Sequence, residues 1–168
     1  MPAKGVVAGI NDQIAKEFYA AYLYLAMAAY CDAESLPGFA HWMRMQHDEE
    51  LGHALRLFDF LLEKGERVQL KAIDKPPLKF GTPLEVIKAA LAHEKKVTAS
   101  INKLYETAVK EKDYPAQLML QWFISEQVEE ERSASDIIAQ LEMAGDSGPA
   151  LLMMDRQLAS RQAEGGGE

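Results

Sequence analysis

Hydrophobic residues recur every three or four positions along almost the whole chain, which is the spacing of the buried face of an α-helix. The alternating pattern of a half-buried β-strand does not occur over any length. We therefore predict an all-α protein. Four long helices are expected at about 6–34, 39–64, 83–112 and 114–144, followed by a short one at about 149–161.

Local signals mark the start of the third helix and the connection before it. Thr82 can cap the helix, Pro83 suits its first position, and Glu85 can complete a capping box. The connection at 66–81 has 16 residues and reaches roughly 50 Å when extended, whereas the long helices measure about 40 Å. The other turns are short. We predict a four-helix bundle of two hairpins joined by one long crossover, with parallel second and third helices and a short fifth C-terminal helix.

Length and composition favour one domain. The chain has 168 residues, of which 48% are hydrophobic, enough to bury a core. We expect a single domain over 1–161 and a disordered Gly-rich tail at 162–168. The N-terminus does not resemble a signal peptide, and the most apolar window, 18–31, is shorter than the roughly 20 residues that cross a bilayer. We therefore expect a cytoplasmic protein with no membrane partner.

Charge and cysteine content limit which partners and which metal ligands the protein can have. The formal net charge is −8, from 26 acidic and 18 basic residues, which argues against nucleic acid as a partner and is compatible with attracting cations. The single cysteine, Cys31, excludes an internal disulfide and a CxxC metal site. Any bound metal must therefore be held by oxygen or imidazole ligands.

Polar residues interrupt the apolar stripe of every long helix near its middle, where the core should lie. No Lys or Arg occupies these inner stretches to neutralise the acids, and buried carboxylates without partners are costly. Counting from the turn of each hairpin brings one glutamate from each helix to a similar depth. Cations between these carboxylates would relieve their repulsion, and oxygen ligands with one imidazole suit iron, manganese or zinc. The interrupting residues are Glu17, Gln46, Glu50, His53, Glu94, Gln127 and Glu130.

Simpler interpretations exist for single residues. A lone glutamate on a stripe is more often a solvent-facing side chain, but four at matching depth favour a site. His53 follows Glu50 by three residues and shares its face, a recurring spacing for metal ligands on helices. Tyr24 is either a core residue or a group that hydrogen-bonds a ligand or supplies an electron. The remaining histidines fall off the stripes and are interpreted as surface or structural residues: His41, His47 and His93.

Four segments carry a resemblance to a known family. They are KEFYAAYLYLAM around Glu17, HDEELGHALRLFDFL around Glu50, HEKKV around Glu94, and QWFISEQVEEER around Glu130. Together with the long crossover and the short fifth helix, they make the chain similar over nearly its whole length to the ferritins, and most closely to the bacterial non-haem ferritins.

The resemblance implies a di-iron ferroxidase centre in which Glu50 bridges the two irons. One iron would be held by Glu17, Glu50 and His53. The second would be held by Glu50, Glu94 and Glu130, with Gln127 nearby. Tyr24 would act catalytically as a one-electron donor.

A third iron position and the absence of haem are implied in the same way. The third position would use Glu49, Glu126, Glu129 and a shared Glu130, although a solvated surface explains the additional acids nearly as well. Haem is not expected, because Leu51 stands where a bacterioferritin has its haem-ligating Met, and the fourth helix lacks the Glu-x-x-His of those proteins.

The function implied by the resemblance is iron storage with ferroxidase activity. Ferrous iron would be oxidised by dioxygen or hydrogen peroxide and deposited as a mineral inside a hollow homo-oligomer of twenty-four subunits. The fifth helix, with Leu151, Leu152 and Leu158 on one side, is expected to pack between subunits. Two alternatives remain, a soluble di-iron oxidase that stores no metal and a purely structural bundle.

Overall fold

The computed structural model describes residues 4–163, with Lys4 represented by its backbone alone. The described residues contain α-helices and no strands, as predicted. None of these helices combines the length and the apolar character needed to cross a bilayer. The tail expected to be disordered lies, from residue 164 onward, outside the described residues. The helices are α1 (Lys4–Ala33), α2 (Pro37–Glu63), α3 (Pro83–Lys110), α4 (Tyr114–Ala144) and α5 (Gly148–Ala159).

The helix ends follow local chemistry and differ from prediction by about two residues. The capping box at Thr82 and Glu85 forms as predicted, each side chain accepting from the backbone of the other residue. The third helix ends at Lys110 rather than Lys112, because Lys112 takes a φ of 56° that a right-handed helix does not allow. Pro37 opens α2 two residues early, since proline is favoured in the first helical turn.

The directions of the helices confirm the predicted crossover. Contacts between α1 and α3 run in opposite chain order: Val6 N donates to Glu111 Oε2 across 3.1 Å, and Tyr24 Oη donates to Glu94. These two helices are therefore antiparallel. Because α2 follows α1 through a short turn and is also antiparallel to it, α2 and α3 run in the same direction.

The crossover is fixed to α1 because the side chain of Asn11 in α1 hydrogen-bonds the backbone of the crossover. Asn11 Oδ1 accepts from Gln69 N at 2.7 Å, and Asn11 Nδ2 donates to the carbonyl of Arg67 at 3.4 Å. A Lys71–Asp12 ion pair lies beside them. The segment between α2 and α3 lacks regular secondary structure, so these contacts replace the backbone pairing that a helix would provide.

The apolar core is divided between the two ends of the bundle, with a polar layer between the two parts. The predicted stripes of α1, α2 and α4 are almost entirely buried. Along α3 the three- and four-residue spacing predicts an inward stripe at Leu84, Ile87, Leu91, Glu94, Thr98, Ile101 and Tyr105. This prediction is partly wrong: Leu84, Leu91, Thr98 and Tyr105 are only half-buried, and Val97 and Leu104 are buried instead. These positions are adjacent on the helix surface, and the polar atoms of Thr98 and Tyr105 favour the side that reaches polar partners.

The fifth helix packs mainly against α2. Phe39 N donates to the buried carboxylate of Asp155 at 2.9 Å. Of the three leucines expected at a subunit contact, Leu151 and Leu158 instead pack against the subunit's own core. Only Leu152, 55% exposed, faces outward, because an isolated amphipathic helix first covers the core nearest to it.

Candidate metal centre

The polar layer between the two apolar clusters consists of side chains from all four long helices. Each lies on the inward stripe of its helix, so the three- and four-residue spacing that buries the flanking apolar residues buries these residues too. Every one is at most 5% exposed. The layer thus brings together all seven residues that the stripes predicted: Glu17, Gln46, Glu50, His53, Glu94, Gln127 and Glu130.

Two groups of potential ligand atoms share one carboxylate. Within each group the atoms lie no more than 4.8 Å apart, a separation that a cation between them can span. Glu50 belongs to both groups, so the arrangement suits two neighbouring cations with one bridging carboxylate. The groups are Glu17 with Glu50 and His53, and Glu50 with Glu94 and Glu130.

Two carboxylate oxygens in this layer are buried without a hydrogen-bond partner, Glu17 Oε2 and Glu50 Oε1. A buried acceptor in this state costs free energy, and native proteins rarely leave one unexplained. The other oxygen of Glu17 accepts a 2.8 Å bond from Gln13. Each carboxylate therefore keeps one oxygen available, and a hard cation is the partner that fits an anionic oxygen donor.

Burial favours the protonated form of the acids in this layer. Burial raises the pKa of Glu50 and Glu94, and it raises the pKa of Glu130 to about 8, with the charge of Glu94 acting in the same direction. Burial lowers the pKa of His53, but interactions with Glu126 and Glu50 outweigh it and raise the pKa to about 11. The positive charge of the His53 imidazolium and the protons on the acids thus offset the negative charge that bound cations would otherwise neutralise.

A polar chain supports Glu17 from outside the cluster. Gln13 Nε2 donates to Glu17, Ser100 Oγ donates to Gln13 Oε1 at 2.6 Å, and Lys16 Nζ donates to Ser100 Oγ at 2.7 Å. The chain fixes the orientation of Glu17. Sequence reasoning missed Gln13, although its position one turn before Glu17 was a usable signal.

Glu94 is held by two donors. Tyr24 Oη lies 2.5 Å from Glu94 Oε1, and Gln127 Nε2 lies 3.1 Å from Glu94 Oε2. Tyr24 is buried, and burial together with the charge of Glu94 raises its pKa well above the usual value. The phenol therefore keeps its proton at neutral pH and remains in contact with the cluster.

The residues expected at a third position are only partly brought together. Glu126 Oε1 lies 3.8 Å from His53 Nε2, and Glu126 groups with His53 and Glu130 as potential ligands. Glu49 instead accepts a 2.9 Å hydrogen bond from Arg161. Glu129 is exposed and belongs to none of the ligand groups found among the described residues.

The remaining histidines lie outside the cluster, as predicted. His41 Nε2 donates to the carbonyl of Arg161 at 2.7 Å, and His47 Nδ1 donates to the carbonyl of Ala21 at 2.7 Å. His93 packs against Tyr19 with its ring centre 5.6 Å away, and burial lowers its pKa to about 4. All three therefore serve local packing or hydrogen bonding.

A four-helix bundle with one long crossover, carboxylates from every long helix and a Glu-x-x-His pair has the architecture of the ferritin-like carboxylate proteins. The chain belongs to the ferritin family: the model of the ferritin-like domain matches residues 7–144.

Relatives and solved structures agree with this membership. The chain is 40% identical to a bacterial non-heme ferritin of Bacteroides fragilis (strain 638R), covering 90% of this chain and 94% of the relative. It is 39% identical to one of Staphylococcus haemolyticus, covering 96% and 97%. An open pore ferritin from Archaeoglobus fulgidus superposes with a TM-score of 0.95 at 45% identity, covering 96% of this chain and all of that one.

Proposed function

We propose that this chain is an iron-storage ferritin whose polar layer is a ferroxidase centre. The observation that carries the proposal is the pair of buried oxygens without partners, Glu17 Oε2 and Glu50 Oε1, inside two ligand groups that share Glu50. Ferrous iron is the substrate. One ion is bound by Glu17, Glu50 and His53; the second is bound by Glu50, Glu94 and Glu130, with Gln127 orienting Glu94.

The chemistry follows from pairing two one-electron donors. Two ferrous ions together supply the two electrons that reduce dioxygen to hydrogen peroxide with uptake of two protons; with hydrogen peroxide as oxidant, two electrons and two protons give two waters. Anionic oxygen ligands stabilise the ferric product relative to the ferrous substrate, which favours electron loss. Cation binding also displaces the protons that the buried acids hold, so iron affinity rises with pH.

Tyr24 supplies a further electron in this proposal. Its hydroxyl contacts Glu94 Oε1, so loss of an electron from the ring can be accompanied by transfer of the phenolic proton to that oxygen. The products are a tyrosyl radical and a protonated Glu94. This electron, two from the iron pair and one from a ferrous ion at the third position proposed below make four, which with four protons reduce dioxygen to two waters. Tyr24 is the catalytic residue proposed here other than the metal ligands.

We further propose a third iron position beside the pair. Glu126 and Glu130 support it because both lie within reach of His53. Glu49 and Glu129 would complete it, which requires Glu49 to leave Arg161 and the exposed Glu129 to turn toward the cluster. No haem is proposed at the Leu51 position.

Storage requires a closed shell, and we propose twenty-four copies of this single domain, spanning 1–161, in the cytoplasm. Large apolar side chains remain exposed on the single subunit. Contacts between copies would cover them. Among the described residues they include Leu78, Leu118, Val128, Met143, Leu152 and Met153.

The test combines iron binding with particle mass. Metal-free protein is titrated with ferrous iron without oxygen and then exposed to air, beside Glu50→Ala and Glu130→Ala. Asp48→Asn is the matched control, because Asp48 is an exposed acid on the same helix as Glu50.

Storage predicts rapid oxidation at two or three irons per subunit, loss of it in both alanine variants but not in the control, and a large particle that then takes up far more iron. Saturation at two irons in a small oligomer would favour the non-storage di-iron oxidase. Absence of stoichiometric binding would exclude both enzymes and leave a structural bundle.

A further inference from the structure

Arg161 lies two residues beyond the end of α5 and is bound to the surface of α2. Its Nη2 donates to Glu49 Oε1 at 2.9 Å, and its Nη1 donates to the carbonyl of Trp42 at 3.3 Å. The guanidinium also stacks on Trp42, 4.8 Å from the ring centre. The Arg161 carbonyl accepts from His41. Four contacts thus fix both the charge and the backbone of this residue.

The partner of Arg161 borders the metal-ligand layer. Glu49 directly precedes Glu50, the carboxylate shared by both ligand groups, and its charge is felt by Glu130. The Arg161 and Glu49 side chains are each only 19% exposed. A pair so shielded from water, with a stacked and hydrogen-bonded guanidinium, holds its geometry better than an ordinary surface ion pair.

Under the third position proposed above, Glu49 has two alternative cationic partners. As an acceptor it can satisfy the guanidinium or a metal ion at the third position, but binding both would place two positive charges against each other in a partly buried site. The guanidinium is covalently attached and already in place, so a metal ion must displace it. Removing the fixed positive charge would favour any cation at the neighbouring carboxylates.

We propose that Arg161 is a latch on the third iron position: by holding Glu49 it keeps this position weak, so that the two irons of the shared-carboxylate pair bind first. The inference rests on the proposed function, since it concerns the third position of the same site. Because Arg161 lies only two residues after α5, the packing of α5 on α2 sets where the guanidinium lies. The latch thus connects the C-terminal helix to the order in which metal positions fill.

The experiment measures binding rather than turnover. Assembled metal-free protein is titrated with ferrous iron under anaerobic conditions, by calorimetry and by equilibrium dialysis, and the affinity of the third ion per subunit is compared between the natural chain and Arg161→Gln. A partly exposed charged hydrogen bond predicts that the third ion binds about tenfold more tightly in the variant. Adding Glu49→Gln to Arg161→Gln should abolish the gain.

A conservative variant distinguishes the latch from a structural pin, that is, an Arg161 that only anchors the end of α5 and does not affect metal binding. Arg161→Lys keeps the charge but loses the planar fork and the stacking, so it should hold Glu49 less firmly and tighten the third ion about two- to threefold. This variant decides the question if Arg161→Gln does not assemble. A structural pin predicts unchanged third-ion affinity in any assembled variant.

Failure of the latch is distinguishable from failure of the proposed function. If the first two ions bind but neither Arg161 variant changes the third, or if the gain persists without Glu49, the latch is overturned and the ferroxidase proposal stands. If the natural chain does not bind the first two ions, the proposed function itself is wrong.

Discussion

Tyr24 and Glu94 join α1 to α3 inside the polar layer, with the phenolic oxygen 2.5 Å from the carboxylate. Both residues are about 1% exposed. This contact places an oxidisable ring against a proposed metal ligand and gives its proton a defined acceptor. Two kinds of side chain that sequence patterning treats separately, a core aromatic and a buried acid, thus form one unit.

Tyr24→Phe tests that unit. The variant should still bind two ferrous ions per subunit but oxidise them about tenfold more slowly, since one hydrogen bond to a charged group is lost and such bonds contribute about 1.5–3 kcal/mol. A tyrosyl radical signal after mixing with oxygen should disappear from the electron paramagnetic resonance spectrum. Tyr30→Phe is the control, because the Tyr30 hydroxyl bonds the Gly81 carbonyl away from the cluster. An unchanged radical in Tyr24→Phe would contradict the assignment.

Gln13→Leu tests the support of Glu17. Removing the 2.8 Å bond from Gln13 leaves both oxygens of a buried carboxylate without a protein donor and frees its rotation. We expect the affinity for one of the two ferrous ions to fall by about 10- to 100-fold, the usual effect of losing a residue that orients a ligand. Anaerobic calorimetry measures it. Gln121→Leu, at an exposed position, should bind both ions normally; equal behaviour of the two variants would refute a role for Gln13.

Glu130→Gln tests the cost of the empty cluster. The pKa of Glu130 is raised, mainly by burial, from 4.5 to about 8, so the folded state binds more protons than the unfolded state between these values. The free energy of unfolding of metal-free protein must then fall as pH rises from about 4.5 to 8.

The amide of the variant is neutral throughout this pH range and does not titrate. It should therefore show a flatter pH profile and, at pH 8, exceed the natural chain by at least about 1 kcal/mol. Denaturant unfolding of metal-free protein at pH 5, 6.5 and 8 gives the comparison. Parallel profiles for the two proteins would show that Glu130 does not carry the pH dependence.

Gly38→Ala tests the docking of α5. A Cβ at Gly38 would lie 1.7 Å from the backbone oxygen of Asp155, so the helix must move away. We expect a loss of about 1–3 kcal/mol in the free energy of unfolding, as for other overpacked sites. Gly52→Ala on the same helix meets nothing within 4 Å and should be neutral or slightly stabilising. Similar denaturation midpoints for both variants would argue against close packing at Gly38.

Much of the bundle was predictable because burial repeats with the period of the helix. The stripes of α1, α2 and α4, and the acids that interrupt them, follow from this repeat alone. The stripe of α3 was ambiguous because Thr98 and Val97 lie side by side on the helix surface, and only packing decides between them. The extent of the fifth helix was predictable, but not which of its leucines would be buried.

The contacts that support the layer were not predictable in the same way. Gln13 meets Ser100 across 87 positions of the chain, and Arg161 meets Glu49 across 112. Neither pair carries a periodic signal, since each depends on how two hairpins and a terminal helix pack in three dimensions. Single-sequence patterning therefore identified the candidate ligands but not the residues that orient or occupy them.

The ligand layer lies across the seam between the α1–α2 and α3–α4 hairpins, with two carboxylates from each side. Cations bound there would hold the two hairpins together. At a free ion concentration a hundred times the dissociation constant, one bound ion adds about 2.7 kcal/mol to folding stability. The same acids lower the folding stability of a subunit without bound cations, because they must hold protons in the core. Under the proposed function, iron-free and iron-bound subunits therefore differ in lifetime. The susceptibility of a subunit to proteolysis then reports how much iron it has bound.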